Sequence, residues 1–335
     1  MPANLSQQYR NAEKQYRRAS TLEEELACLE LMLREIPKHK GTDKLQAGLK
    51  KKISQTRARM ESSSSRKSAP GFRMPRQGAA RIVLLGPFNS GKSQLFNSLS
   101  DSSAAVADYP HTTTQPQPAL VKLQNVKVQL IDTPPIAVGD FDPRTESLVR
   151  GADLVLLLLP LWDDEGIDRF VSSVEFVQES RTRLAPSSSI DEADIGVTYT
   201  QSMLVWTGSE VEESESRKNV LAELLGDSNC REFLPGLCVS AVTGEGIDEL
   251  SRAIFERLNL IRIFTKNPTA SEPDLDDPIA LSKGSTVLDF ARSLHEELAT
   301  NFKQARVWGR GRHDGTIVQA DHELEDEDIV EIKTR

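Results

Sequence analysis

The sequence predicts an α/β protein with a mostly parallel sheet, an N-terminal helical region and a small C-terminal β-rich unit. Three observations predict it. From Arg81 onward, short apolar runs alternate with helix-like stretches, the pattern of a parallel sheet covered by helices on both faces. Between the first strand and the next helix lies Gly86-Pro87-Phe88-Asn89-Ser90-Gly91-Lys92-Ser93, a Gly-x-x-x-x-Gly-Lys-Ser run in the context that a P-loop requires. Residues 3–60 carry leucines at helical spacing, and the pattern turns strand-rich again after Phe264.

Taken in order, Leu22, Leu26, Leu29 and Leu33 recur at helical spacing, and Leu45, Leu49 and Ile53 repeat the pattern after a break at 37–42. Two helices in a hairpin are expected, the first opened by a capping box of Thr21 and Glu24. Lys50, Lys51, Lys52, Arg57 and Arg59 concentrate positive charge on the second. Residues 61–80 are rich in Ser, Pro and Gly, a linker composition. Strands are expected at 81–85, 126–131, 154–159, 202–205 and 237–239, with helices at 91–100 and near 165–182, 215–225 and 246–259. Residues 183–200 read as a loop or poorly structured insertion. Near the end, strands at 278–281, 306–308, 317–318 and 329–332 surround a helix bearing Val287, Phe290, Leu294 and Leu298, capped by Ser285/Thr286 with Asp289. That arrangement resembles a ubiquitin-like β-grasp fold. The expected domains are 1–60 (helical hairpin), 61–80 (linker), 81–261 (P-loop domain) and 262–335 (β-grasp).

Composition narrows the function. With 335 residues, 38% hydrophobic and 27% charged, the chain is long enough for two or three domains and a core that needs no disulfide or metal. Cys28, Cys230 and Cys238 form neither a disulfide framework nor a metal-ligand spacing, and the five histidines are scattered as surface or packing residues. A reducing, cytoplasmic setting follows. Residues 1–20 lack an apolar signal-peptide core, and the apolar run 154–159 is far short of the roughly 20 residues a membrane helix needs. The net charge of −9 is uneven. Residues 1–81 hold 18 Lys+Arg against 8 Asp+Glu, net +10, leaving −19 elsewhere. The basic segment is either an arm for nucleic acid or a solvated helical face. No aromatic-interleaved basic patch supports sequence-specific reading of RNA, and no specific DNA binding is expected.

The P-loop carries the chemistry. Its glycines turn backbone N–H groups inward, Lys92 reaches the β- and γ-phosphates, and the Ser93 hydroxyl binds Mg²⁺; the helix dipole adds to the anion field. Asp132, at the end of the strand 126–131, is positioned to hold Mg²⁺ through water.

The motif order resembles the Obg-related GTPases, most closely the developmentally regulated GTP-binding proteins, whose P-loop domain is Ras-like and whose C-terminal domain is a TGS domain. Tyr109-Pro110-His111-Thr112-Thr113 is similar to that family's switch I motif, which implies that Thr113, or failing it Thr112, contacts Mg²⁺ and the γ-phosphate. Ser240-Ala241 resembles the fifth GTPase motif, whose backbone meets the guanine O6. Lys283-Gly284-Ser285-Thr286-Val287, Val307-Trp308-Gly309 and the acidic run 324–328 resemble a TGS domain, and the stretch 36–42 is similar as well. The likeness implies nucleotide contacts from Gly86, Phe88, Asn89, Ser90, Gly91, Lys92, Ser93 and Gln94, with Lys92 and Thr113 catalytic. It implies K⁺ beside Asn89, as in potassium-stimulated relatives. It also places Ile136 where Ras-like enzymes carry the water-orienting glutamine. The implied function is a slow Mg²⁺-dependent GTPase associated with the ribosome or RNA. A nucleotide sensor without turnover, or an ATP-using protein, is the alternative.

The sequence departs from that family at three places. Asp-x-x-Gly has become Asp132-Thr133-Pro134-Pro135, and Pro135 has no N–H for the γ-phosphate. The lost charge-assisted hydrogen bond is worth about 1.5–3 kcal/mol, so weaker discrimination between GTP and GDP is expected. The guanine-reading Asn-Lys-x-Asp is absent; its best match sets Thr207 at the Asn, Gly208 at the Lys and Glu210 at the Asp. Glu210 either accepts hydrogen bonds from guanine N1 and N2 or is a surface member of an acidic run. The family's long insertion before this motif is cut to residues 183–200.

Overall fold

The computed structural model describes residues 7–19, 22–36, 42–64, 74–101, 115–136, 143–179, 182–190, 197–266, 273–309 and 315–334. Its N-terminal unit has three helices where the leucine pattern predicts two: α1 (Gln7–Arg18), α2 (Leu22–Glu35) and α3 (Asp43–Ser64). The extra helix has no leucine stripe. Its apolar face is Tyr9, Ala12 and Tyr16, which bury against Leu29 and Met32 of α2 and Leu49 and Ile53 of α3. Thr21, the expected cap, lies outside the described residues.

This unit is docked on the P-loop domain. Glu25 of α2 is 3% exposed, accepts a hydrogen bond from Tyr16 Oη at 3.2 Å and lies 3.7 Å from the Arg150 guanidinium. Arg150 also donates to Ala19 O at 3.3 Å. The linker composition of 61–80 is misleading at both ends. Helix α3 runs to Ser64, and residues 74–80 are fastened to the sheet. Arg76 donates to Gly151 O at 2.8 Å and pairs with Asp153; Gln129 Nε2 donates to Pro75 O at 2.9 Å; Gly78 forms a β-bridge with Val128.

The P-loop domain contains β1 (Arg81–Leu85), α4 (Lys92–Asp101), β2 (Gln117–Leu123), β3 (Val126–Asp132), α5 (Pro143–Arg150), β4 (Leu154–Pro160), α6 (Gly166–Gln178), β5 (Thr182–Ala185), β6 (Ser189–Ile190), β7 (Thr198–Thr207), α7 (Ser214–Gly226), β8 (Leu237–Val239) and α8 (Ile247–Leu258). The strand order is β2-β3-β1-β4-β7-β5, with β6 and β8 also on β7, and only β2 and β6 run antiparallel to their neighbours. Strands β1 and β4 are buried along their whole length, because helices cover both faces. Val83, Val155 and Leu157 meet Phe170, Val174 and Val177 of α6 on one side. Ile82, Leu84 and Leu156 meet Leu95 and Leu99 of α4 and Leu250 of α8 on the other.

Residues 182–185, 189–190 and 198–201 are strand rather than loop, which corrects the reading of 183–200 at those positions. Thr182, Leu184, Thr198 and Thr200 are buried in alternation, so threonine supplies half of a β period that a search for apolar residues overlooks.

The C-terminal domain contains β9 (Leu260–Thr265), β10 (Asp274–Ser282), α9 (Val287–Leu294), α10 (Glu296–Thr300), β11 (Phe302–Trp308), β12 (Thr316–Val318) and β13 (Asp328–Thr334). Its order β10-β9-β13-β11-β12, with β9 and β13 parallel, is the β-grasp arrangement. The predicted capping box is present: Asp289 N donates to Thr286 Oγ1 at 3.3 Å and Thr286 N to Asp289 Oδ2 at 3.0 Å. Lys127 of β3 pairs with Asp277 at 3.0 Å and Lys122 of β2 donates to Asp276 O at 3.3 Å, while Leu260 and Ala280 pack against the core of the P-loop domain. No described helix is long and apolar enough to cross a membrane.

Candidate nucleotide-binding site

The loop between β1 and α4 sits at the C-terminal edge of the sheet, where β3 ends in Asp132, β7 in Thr207 and β8 just before Ser240. Gly86 is buried so closely that a Cβ there would lie 2.6 Å from Ser90 Oγ and 2.8 Å from Leu158 O. Asn89 and Gly91 both take positive φ, at 59° and 81°, which folds the loop over itself. Phe88 and Asn89 form its exposed crest, and Gln94 is exposed on the first turn of α4.

Lys92 lies beneath the loop. Its ammonium donates to Pro87 O at 2.7 Å, Gly86 O at 3.1 Å and Ser90 Oγ at 3.2 Å. Burial pushes its pKa down to about 8, against the opposing charge of Asp132. Ser93 Oγ donates to Asp132 Oδ2 at 2.7 Å. The other carboxylate oxygen, Oδ1, is buried with no hydrogen-bond partner among the described residues, and burial raises the carboxyl pKa against the Ser93 bond, the Lys92 charge and the Thr133 backbone. An orphaned carboxylate oxygen beside a hydroxyl is an all-oxygen donor set, which fits a hard divalent cation such as Mg²⁺.

Beyond Asp132 the chain stays beside the loop, where Ile136 N donates to Gly86 O at 3.4 Å. Thr133 Oγ1 donates to Leu84 O at 2.6 Å, and Pro135 lines the cavity. Ile136 is 5% exposed, its side chain in the core between sheet and helices, its carbonyl accepting from Ser173 Oγ at 3.2 Å. No side chain at 136 faces the phosphate loop.

A cavity of about 570 Å³ opens beside the loop. Of the residues expected on its base side, Glu210 lines it and is exposed. Thr207 is buried behind the loop instead, with its hydroxyl donated to Ser90 O at 2.9 Å, so it is a tether between β7 and the P-loop. Ser240 is buried too. Its Oγ accepts from Val242 N at 3.2 Å and Thr243 N at 2.9 Å, shaping the turn before α8, and Val242 rather than Ala241 lines the cavity. Thr112 and Thr113 lie outside the described residues. Sequence reading missed Trp162, Val211 and Val242, which line the cavity without belonging to any motif. A larger cavity of about 900 Å³ lies at the seam of α8 and the C-terminal domain, but its walls carry Glu256, Glu323, Glu325 and Asp326 and no phosphate loop.

Comparison with known proteins agrees with this geometry. Residues 81–186 match the model of the 50S ribosome-binding GTPase family, and residues 261–334 match the TGS domain. An uncharacterised GTP-binding protein of Methanocaldococcus jannaschii is 28% identical, covering 93% of this chain and 92% of that protein. Ribosome-interacting GTPase 1 of Saccharomyces cerevisiae and developmentally regulated G-protein 3 of Arabidopsis thaliana are each 27% identical, covering 93% of this chain and 99% of the relative. Among solved structures, the YchF GTPase of Schizosaccharomyces pombe shares the fold at 13% identity and a TM-score of 0.51, covering 78% of this chain and 99% of that one. The chain is therefore a P-loop GTPase fold joined to a TGS domain, similar over 93% of its length to relatives that include a developmentally regulated G-protein.

Proposed function

We propose that the chain binds GTP and GDP together with Mg²⁺, hydrolyses GTP slowly, and acts in the cytoplasm as a ribosome- or RNA-associated switch. The observation that carries the reading is the cluster of Lys92, Ser93 and Asp132. An anion on the loop would draw the Lys92 ammonium from the carbonyls of Gly86 and Pro87, and Ser93 Oγ with the Asp132 carboxylate would hold the metal. When bound, Mg²⁺ supplies charge neutralisation at the β- and γ-phosphates. Asn89, on the exposed crest beside the cavity, is the residue on this chain that would face K⁺. Thr113 would complete the γ-phosphate contact.

Slow turnover follows from two groups. Ile136 is sealed in the core and Pro135 has no N–H, so the attacking water is oriented by no side chain at 136 and the γ-phosphate loses a donor. The same two residues favour the second reading, a sensor that binds without turnover. Competition of GTP and ATP for a fluorescent guanine nucleotide tests base choice. Single-turnover phosphate release with Mg²⁺, in K⁺ and in Na⁺, tests hydrolysis. Release no faster than from a Lys92→Ala variant would leave the sensor as the function. The ribosomal association draws on the name of the yeast relative and on the exposed Lys50, Lys51 and Arg57 of α3.

A further inference from the structure

We propose that Trp162 is the stacking platform for the nucleobase, in the place left by the missing base-motif lysine; this rests on the nucleotide-binding reading above. Gly208 stands at the lysine position, with φ of +85°. A Cβ added there would lie 2.3 Å from Trp162 Cε3 and 2.6 Å from Cζ3, and one added to Gly91 of the P-loop would lie 3.2 Å from Cη2. The indole therefore lies across both glycines. No side chain fits at 208 while the ring is there, so Gly208 and Trp162 are a matched pair.

The ring is held in place from its backbone. Leu161 is buried and its N–H donates to Thr207 O at 2.9 Å. Arg217 binds Leu161 O and Asp164, and Arg169 binds Asp163, so two guanidiniums pin the loop on either side of the tryptophan. Yet the side chain is not sealed in. Trp162 is 38% exposed and lines the same cavity as Lys92, Ser93, Glu210 and Val242. A rigid aromatic face presented to solvent beside a phosphate-binding loop is the surface on which a purine stacks.

The arrangement divides the work of recognition. Stacking on an indole is tolerant of base identity, because every base has a π-face. The base-discriminating group on this wall is the Glu210 carboxylate, an acceptor suited to the N1 and N2 hydrogens of guanine and unsuited to adenine, which offers neither. Trp162 then supplies affinity for any purine nucleotide, and Glu210 the preference for guanine.

The test compares GDP with pyrophosphate, which has no base, on the full-length protein and its Trp162→Ala and Trp162→Phe variants. Trp162→Ala is expected to weaken GDP about ten- to hundred-fold and to leave pyrophosphate unchanged, with Trp162→Phe in between. Tryptophan emission of the wild type is expected to be quenched by GDP, and that quench to vanish in Trp162→Phe, since Trp206 is buried and hydrogen-bonded to Pro235 O and Trp308 lies in the C-terminal domain against Lys266. If the wild type binds both ligands and Trp162→Ala binds GDP equally well, or loses GDP and pyrophosphate to the same extent, the platform is overturned. A wild type that binds neither ligand overturns the nucleotide reading itself, and the platform with it.

Discussion

Asp132, a buried carboxylate beside the phosphate loop, carries the sharpest single-site expectation. Its Oδ1 is buried without a partner among the described residues, while Oδ2 accepts from the Ser93 hydroxyl. Leaving a buried charged acceptor unpaired costs about 1–3 kcal/mol or more, which a bound cation would return. Asp132→Asn is therefore expected to abolish the gain in GTP affinity on adding Mg²⁺, and titrations with and without EDTA would read it. An undiminished Mg²⁺ effect would move the metal elsewhere. Thr207 makes the opposite kind of contribution. Its hydroxyl ties β7 to the loop carbonyl of Ser90, so Thr207→Val should cost about 1–3 kcal/mol in a urea melt, because a buried carbonyl is left unpaired. Cys230 offers a pH-dependent check on burial. Desolvation, with help from Glu175 and Glu232 and against a Ser228 hydrogen bond, pushes its thiol up to about 11. At pH 8 it stays protonated in the folded chain, so alkylation should spare Cys230 until denaturant is added, and Cys28 and Cys238 should react first.

The segment after β3 is expected to set how well the proposed site distinguishes GTP from GDP. Pro134 and Pro135 remove two backbone donors, and Ile136 anchors the next position in the core. Pro135→Gly would restore one N–H toward the γ-phosphate. The expected outcome is a ten-fold or greater rise in preference for a non-hydrolysable GTP analogue over GDP, equivalent to about 1.5–3 kcal/mol. An unchanged preference would mean that the segment does not approach the phosphate. The P-loop was legible in sequence because its chemistry is local: a tight turn, a lysine and a hydroxyl within eight residues. Strands β1, β4 and β8 were legible as apolar runs, and α9 as a capping box. Helix α1 was not, because tyrosine and alanine replace leucine on its buried face, and β5 was not, because threonine carries its inward period. The base side escaped for another reason. Thr207 aligns with a motif position yet points behind the loop, and Trp162 is in no motif; which of them meets the cavity depends on three strand ends converging. Only the fold brings Gly91, Trp162 and Gly208 together.

At the scale of the molecule, charge is segregated between units that are docked rather than tethered. Residues 1–81 carry net +10 and the remainder −19. The N-terminal helices are held by Arg150 of α5 against Glu25 and Ala19 O, and the TGS domain by Lys122 and Lys127 of the β2–β3 hairpin. The strand that ends in Asp132 thus also bears the lysine that grips Asp277. Within the basic unit, Arg57 is engaged with Glu30 at 2.7 Å, whereas Lys50 and Lys51 are exposed on α3. If the unit contacts RNA, these two lysines release counterions from phosphates, and binding must weaken as salt rises. Each phosphate contact removed lowers the slope of log K against log salt by about one, so Lys50→Ala with Lys51→Ala should lower it by roughly two. The double variant, compared with the wild type in ribosome co-sedimentation across a salt series, measures that change. Deletion of residues 1–60 should abolish the salt-sensitive binding altogether. Binding that survives the deletion with its slope intact would place the contact on the TGS domain, whose acidic run at 324–328 makes it an unfavourable surface for phosphate and so the harder case to explain.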